Sequence, residues 1–251
     1  MNTVDKTSNT TVVITGASSG IGLALAEAYL KRGYNVVGNA RTTARLQAAA
    51  AQLGNPANFI GVEGDIAQPA TAKALFAKAI AAFGKVDILI NNAGIFTAKP
   101  VGDYTEDDLE TIVGTNLKGF FYPSQQAATH MAKNREGHIV TITASIAMQP
   151  SMKVPALLPV LIKGGLNDAT RALAIELASS NVKVSAVAPG IISTPMHSPD
   201  EGTRSFLATL SPAARIGATQ DVVDAVLYLT DAQFTSGVVL AVDGGASAGT
   251  W

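Results

Sequence analysis

The chain contains no cysteine. That absence excludes disulfides, thiolate metal sites and a cysteine nucleophile, and it leaves the fold indifferent to the redox state of its compartment. Charge is also scarce, at 15% of residues with a formal net charge of -1. Lys and Arg form no stripe, which argues against a nucleic-acid surface. No apolar run approaches the ~20 residues of a membrane span, so no membrane partner is expected. The opening stretch, Met1 to Thr10, is polar and holds no apolar segment of signal-peptide length. The expectation is a soluble, cytoplasmic protein with a flexible tail over residues 1–10. Aromatics are few, and Trp251, the single tryptophan, is the last residue. It reads equally as a frayed end or as a group seated in a subunit interface. A chain of this length buries roughly three-quarters of its unfolded surface, so no metal or disulfide staple is required.

What is abundant is small residues, with 23 Gly and many Ala, which suit helices packed closely on a sheet. Short β-branched runs alternate with Ala- and Leu-rich stretches. Strands are expected at Thr11–Thr15, Asn35–Asn39, Phe59–Glu63, Val86–Asn91, His138–Thr143, Val182–Ala188 and Val238–Val242. Helices are expected at Ile21–Arg32, Thr43–Leu53, Pro69–Phe83, Glu106 to about Lys133, Pro159–Ser179 and Thr219–Leu229. Several of these helices stop at a glycine, and Pro69 opens one of them. The strands are continuous apolar runs, the pattern of strands buried on both faces. Strand–helix alternation with short links implies right-handed crossovers and one α/β domain over residues 11–251. Its core is a Rossmann-type, doubly wound parallel sheet of about seven strands with helices on both faces. One long segment, Ile191–Gly217, reads as irregular. A loop of that length in a compact domain points to a functional role.

The turn after the first strand carries the first chemistry. Thr15-Gly16-Ala17-Ser18-Ser19-Gly20-Ile21-Gly22 lies between a buried strand and an Ala-rich helix. Gly16 permits a tight turn, Gly20 lets backbone approach a pyrophosphate, and Gly22 lets the helix pack on the sheet. The helix N-terminus then offers unpaired N–H groups to phosphates. A glycine triplet alone is equally a structural turn; its place between strand and helix favours a dinucleotide. An acidic residue at the end of the second strand would bind the adenosine ribose and repel a 2′-phosphate. Here the residues are Ala40 and Arg41, with Arg45 one turn on. Arg41 can pair with a phosphate, so NADP(H) is expected ahead of NAD(H); the alternative is an arginine that merely faces solvent.

The chain resembles the short-chain dehydrogenase/reductase family, and within it the 3-oxoacyl-carrier-protein reductase-like members. The resemblance rests on an ordered set: Thr15-Gly16-x-x-x-Gly20-Ile21-Gly22, Asp65-Ile66, Asn91-Asn92-Ala93-Gly94, Asn116, Ser145, Lys163 and Pro189-Gly190-Ile191-Ile192-Ser193-Thr194. It implies that Gly16, Ser18, Ser19, Gly20 and Ile21 cradle the cofactor phosphates. It further implies that Asp65 and Ile66 meet the adenine, that Asn92 lies along the cofactor, and that Ile192 and Thr194 hold the nicotinamide. Read without the family, Asp65 could be a turn residue, and Asn91 and Asn92 a strand-end cap. A homotetramer or homodimer is implied as well.

The family's relay also implies catalytic roles. A tyrosine moves the proton, a serine (here Ser145) steadies the substrate oxygen, and a lysine (here Lys163) binds the nicotinamide ribose and lowers the tyrosine pKa. Asn116 would hold a water. The tyrosine precedes the lysine by four residues, because such positions share a helix face. In this chain that position is Pro159, and Leu157-Leu158-Pro159-Val160-Leu161-Ile162 holds no Tyr, Ser, Thr or His. Tyr104 and Tyr122 fall in other elements. Proline can sit in the first turn of a helix, so Lys163 is still expected to project into the site, but no side chain at 159 can act as an acid. Each retained residue has a plain alternative: Ser145 as a strand-end serine, Asn116 as a helix-kink residue, Lys163 as a snorkelling lysine.

The remaining candidates are apolar or histidine. Met196, Phe206, Leu207 and Leu210 on one side, and Ile95, Phe96, Met148, Met152, Leu157 and Leu158 on the other, would line a cavity for a small apolar substrate. His138 reads as structural, His130 as solvated, and His197 as a loop residue that could visit the substrate. Three functions remain open: an NADP(H)-dependent reductase of C=N or C=O groups, a catalytically silent cofactor-binding protein, or a non-redox enzyme on the same fold.

Overall fold

In the computed structural model, residues 10–196 and 200–249 are described. The expectations for the N-terminal tail, His197 and Trp251 lie outside the described residues. Seven strands form one sheet: β1 (Thr11–Ile14), β2 (Asn35–Ala40), β3 (Phe59–Glu63), β4 (Ile88–Asn91), β5 (Gly137–Ile142), β6 (Val182–Pro189) and β7 (Val239–Val242). Their order is β3-β2-β1-β4-β5-β6-β7. Every pairing is parallel. The order reverses between β1 and β4, so a crevice opens there beyond the carboxyl ends, the place where such sheets bind ligands.

The apolar runs of the strands follow from burial on both faces. Val12 and Ile14 point into one core with Ile88, Ile90, Val140 and Val187. Helices α1 (Gly20–Lys31) and α8 (Thr219–Asp231) cover that face with Leu25, Tyr29, Val222, Val226 and Leu229. Val13, Val37, Leu89, Ile139 and Val184 point the other way. There they meet α3 (Pro69–Phe83), α5 (Gly119–Asn134) and α6 (Leu157–Leu177) through Leu75, Phe76, Met131 and Leu177. The start of α2 (Thr43–Gln52) is capped by the Thr42 hydroxyl, which accepts from the Arg45 N–H at 3.4 Å. Gly84 ends α3 in the left-handed conformation at φ 84°. Among the described residues no helix is long and apolar enough to cross a membrane.

Two expectations about elements are corrected. The helix expected from Glu106 to about Lys133 is three pieces: α4 (Glu106–Ile112), a wide π-helical stretch at Val113–Lys118, and α5. The α-helical ladder is interrupted where the Asn116 side chain bonds the backbone of Ile95. Gly119 makes this geometry possible, since a Cβ there would lie 2.9 Å from Ile66 Cγ2. Such bulges recur at functional sites. The segment Ile191–Gly217 is likewise not irregular throughout. It contains α7 (Glu201–Ala208), whose first turn is capped by the Asp200 carboxylate accepting from the Thr203 N–H at 2.7 Å. Its two ends are clamped together, with Ser193 N–H donating to Gly217 O at 2.8 Å and Gly217 N–H to Ile191 O at 2.9 Å.

The core assignment predicts a contrast in stability. Leu25→Ala, at a fully buried site, should destabilise by about 2–5 kcal/mol. Ile175→Ala, at an exposed position of α6, should change stability by no more than about 0.5 kcal/mol. Denaturant midpoints at constant m-value would test both; equal effects would show that the face of α6 or of α1 is misassigned.

Candidate functional site

The turn after β1 is built around backbone conformations that exclude side chains. Gly16 and Gly20 have φ of 66° and 56°, the left-handed region that glycine tolerates best. A Cβ on Gly22 would lie 2.2 Å from the Gly16 carbonyl oxygen, so only glycine lets α1 start this close to the strand. The neighbouring strand braces the turn. The Thr15 hydroxyl oxygen accepts from the N–H groups of Asn92 and Ala93, each at 3.0 Å. The Asn92 amide donates to the carbonyls of Thr15 at 3.0 Å and Gly16 at 3.1 Å. Ser19 caps α1 in an extended conformation with no side-chain capping bond. The first N–H groups of the helix have no partner within it and face the crevice end of the sheet.

The loop after β6 reaches this turn. A Cβ on Gly20 would lie 3.3 Å from the Cβ and Cγ2 of Thr194. Ile192 is buried, paired with Gly217 in a short parallel bridge. The structure therefore brings Gly16, Ser18, Ser19, Gly20 and Ile21 together with Ile192 and Thr194, which lie far apart in sequence. At the end of β2, Ala40 is buried and Arg41 exposed. Among the described residues Arg41 forms no ion pair. Past β3, the Asp65 carboxylate accepts from the Ala67 N–H at 3.0 Å, so it does serve as a turn residue. Ile66 is buried beneath Gly119.

The second cluster lies across the crevice, at the ends of β4 and β5. Lys163, on α6, is buried, and its ammonium donates to the Ile142 carbonyl at 2.7 Å. Burial pushes its pKa down to about 8. This is not a snorkelling lysine. Asn116 is buried, and its side chain is engaged at both ends by Ile95: the Oδ1 atom accepts from the Ile95 N–H at 2.8 Å, and Nδ2 donates to the Ile95 carbonyl at 2.9 Å. Ser145 is buried in a short 3-10 turn, Ser145–Ala147, just past β5. Gly94 is the hub that sequence reasoning left without a role. A Cβ there would stand 3.3 Å from Lys163 Nζ and 3.4 Å from Asn116 Oδ1. The signal was present in Asn91-Asn92-Ala93-Gly94, but the need for a missing side chain shows only in three dimensions. The backbone partners Ile95 and Ile142 carry no sequence signal of any kind.

Pro159 is buried in the first turn of α6, which starts at Leu157, two residues before the expected point. The helix ladder begins with Val160 N–H donating to Ala156 O at 3.0 Å. The missing N–H of Pro159 therefore falls among the helix-start groups that have no partner in the ladder. Other expectations change. Leu158 belongs to a small core with Ile112, Phe120, Ile162 and Leu166, not to a cavity wall. Met152 is fully exposed, and Leu157, Met196 and Phe206 are at least half exposed. His130 is half-buried rather than solvated, and its Nε2 accepts from the Val86 N–H at 3.1 Å. His138 is buried in β5 beside the Ser185 hydroxyl at 3.3 Å, and burial pushes its pKa down to about 3. Among the described residues no group of acidic or His side chains could hold a metal.

Residues 10–204 match the family model described as short chain dehydrogenase. The chain belongs to this family. Among curated proteins it is 34% identical over 236 residues to the 3-oxoacyl-[acyl-carrier-protein] reductase FabG of Escherichia coli, covering 93% of this chain and 95% of that protein. It is 33% identical over 243 residues to the (2S)-[(R)-hydroxy(phenyl)methyl]succinyl-CoA dehydrogenase subunit BbsD of Thauera aromatica, covering 95% and 97%. A solved 3-ketoacyl-(acyl-carrier-protein) reductase from Brucella melitensis, complexed with NADH, is similar at a TM-score of 0.88 and 30% identity, over 96% of this chain and all of that one. The structure of ElxO with NADP bound is similar at 0.89 and 28% identity over the same shares.

Two outcomes follow for this short-chain dehydrogenase. Gly22→Ala should unfold or severely destabilise it, read as a lost or strongly lowered melting transition; a normal melting curve would mean that the turn is looser than described. Lys163 binds its proton less tightly folded than unfolded, so between pH 8 and about 10.4 the unfolded state holds more protons and stability rises with pH. Below pH 8 the desolvation penalty is present in full. Replacing Lys163 by Met should remove that rise, seen as a smaller stability gain for the variant between pH 8 and 10.4. A Lys163 NMR titration midpoint near the ordinary value would refute the assignment.

Proposed function

We propose that this short-chain dehydrogenase is an NADP(H)-dependent oxidoreductase. It reduces a small, largely apolar substrate at C=N or C=O without a tyrosine acid. The observation that carries this reading is Pro159, buried one helical turn before the buried Lys163.

The fit to a dinucleotide rests on the glycine turn, where left-handed Gly16 and Gly20 and a Gly22 packed on the Gly16 carbonyl keep the start of α1 clear of side chains. Gly16, Ser18, Ser19, Gly20 and Ile21 would hold the pyrophosphate at the start of α1. Arg41 would meet the 2′-phosphate, and Asp65 and Ile66 the adenine. Asn92 would act indirectly, since its amide already braces the turn. Lys163 would hold the nicotinamide ribose, and Ile192 and Thr194 the nicotinamide itself. The reduced cofactor supplies a hydride when bound. Ser145 would hydrogen-bond the substrate heteroatom. The Asn116–Ile95 pair keeps α5 and the strand end in place around it. No metal is involved in this reading.

The missing tyrosine bears on the substrate. General acid help is worth about 10²–10⁴-fold in rate, and a ketone that accepts hydride becomes an alkoxide that needs it. A protonated imine becomes a neutral amine and does not. A cyclic imine is therefore the substrate type that the site suits best. Self-association as a homodimer or homotetramer is supported by apolar side chains left exposed: Leu117 in the π-helical stretch, Phe121 on α5, and Leu161 and Ile175 on α6.

The decisive measurement is NADPH oxidation against a panel of ketones and cyclic imines, with Pro159→Tyr alongside. Imine turnover by the parent chain is expected, with ketone turnover raised about 10²–10⁴-fold in the variant. Good ketone turnover and no imine turnover in the parent chain would overturn the substrate class. Cofactor binding with no turnover on either panel would point instead to a silent binding protein. Tighter binding of NADH than NADPH would overturn the cofactor assignment.

A further inference from the structure

The strand end that carries Arg41 also carries a carboxylate, on the neighbouring strand. Ala40 of β2 and Glu63 of β3 are register partners in a parallel pair. Adjacent strands lie about 4.8 Å apart, so Glu63 sits beside the residue that precedes Arg41. Gly61 and Glu63 share one face of β3. That face is the one covered by α2, since a Cβ on Gly61 would lie 3.0 Å from Leu46 Cβ. One step further along, the Glu63 carboxylate accepts a hydrogen bond from the Thr43 hydroxyl, at the first residue of α2.

The framework around this pair is rigid. The buried Asn39 amide donates to the carbonyls of Val62 at 3.1 Å and Gly64 at 3.0 Å, tying the ends of β2 and β3 together. Above it, Arg41, Thr42, Thr43, Arg45 and Glu63 are all exposed. Among the described residues none of Arg41, Arg45 and Glu63 forms an ion pair. Arg41, Arg45 and Glu63 therefore all stand exposed where β2 and β3 end and α2 begins.

We propose that Glu63 is a cofactor-selecting residue that opposes Arg41. Its carboxylate can accept a hydrogen bond from a ribose hydroxyl, as an acidic residue at the end of the second strand does in other dinucleotide sites. It repels a 2′-phosphate, and its bond from Thr43 takes up a hydroxyl that would otherwise be free to donate to that phosphate. Arg41 and Arg45 pull the other way. The chain then binds both dinucleotides, with a preference for the phosphorylated one that is smaller than Arg41 alone would produce. This inference rests on the assignment of this strand end to the adenosine ribose.

The test measures dissociation constants of NADPH and NADH by cofactor fluorescence for the parent chain, Glu63→Gln and Thr43→Val. Glu63→Gln removes the charge and keeps an acceptor for Thr43. It should raise the NADPH-over-NADH preference by about 3- to 10-fold, the size of a solvent-exposed charge effect, and less at high salt. Thr43→Val keeps the charge and should change that preference by less than about twofold. Glu63→Ser, at the same exposed strand end, gives the same readout if the Gln variant does not fold. A preference unchanged in Glu63→Gln or Glu63→Ser overturns the role of Glu63, whichever cofactor the parent chain favours. A parent chain that favours NADH while the preference still moves with Glu63 refutes the NADP(H) assignment and leaves Glu63 as a selector. Failure to bind either dinucleotide removes both.

Discussion

The contact on which the site depends is the hydrogen-bonded brace between the end of β4 and the turn after β1. Asn92 and Thr15 exchange backbone and side-chain bonds across the point where the sheet order reverses. The brace holds Gly16 in a left-handed conformation and presents the start of α1 to the crevice. Gly22 must then pass within contact of the Gly16 carbonyl, which leaves no room for a side chain. The loop after β6 packs on Gly20 through Thr194, so its place too is set by that turn. A parallel sheet offers many loops at its carboxyl end; this brace ties the one after β1 to the end of β4.

A second region has the same logic with different groups. Lys163 is buried, and among the described residues its ammonium donates to the Ile142 carbonyl. Such a buried ammonium is poised to lose its proton near pH 8. Gly94 lets it approach Asn116, and Asn116 spends its side chain on the backbone of Ile95 and breaks the regular helix there. Pro159 is tolerated because the helix start has no use for its N–H. The fold therefore accommodates proline at 159 without losing the helix that carries Lys163.

The seven strands were legible because burial on both faces demands continuous apolar runs, and because glycine and proline mark where helices stop. The pieces that were misread share a cause. The break at Val113–Lys118 follows from a side chain bonding a loop some twenty residues away in sequence, and no local pattern encodes it. Helix α7 is only eight residues long and buries none of them, so its apolar spacing is too short to stand out from a loop. The expected cavity walls were chosen for being apolar, a property that core residues such as Leu158 and outward-facing ones such as Met152 have in common.

By itself the sequence determined the class of sheet, the glycine turn and the absence of an acid at position 159, because each depends on residue type and local spacing. Only the tertiary structure decided how the candidate residues work together. Depth in the fold lowers the proton affinity of Lys163, and register between β2 and β3 sets Glu63 beside the neighbour of Arg41. Both are effects of distance and dielectric between segments remote in the chain, and such quantities exist only once the chain has folded.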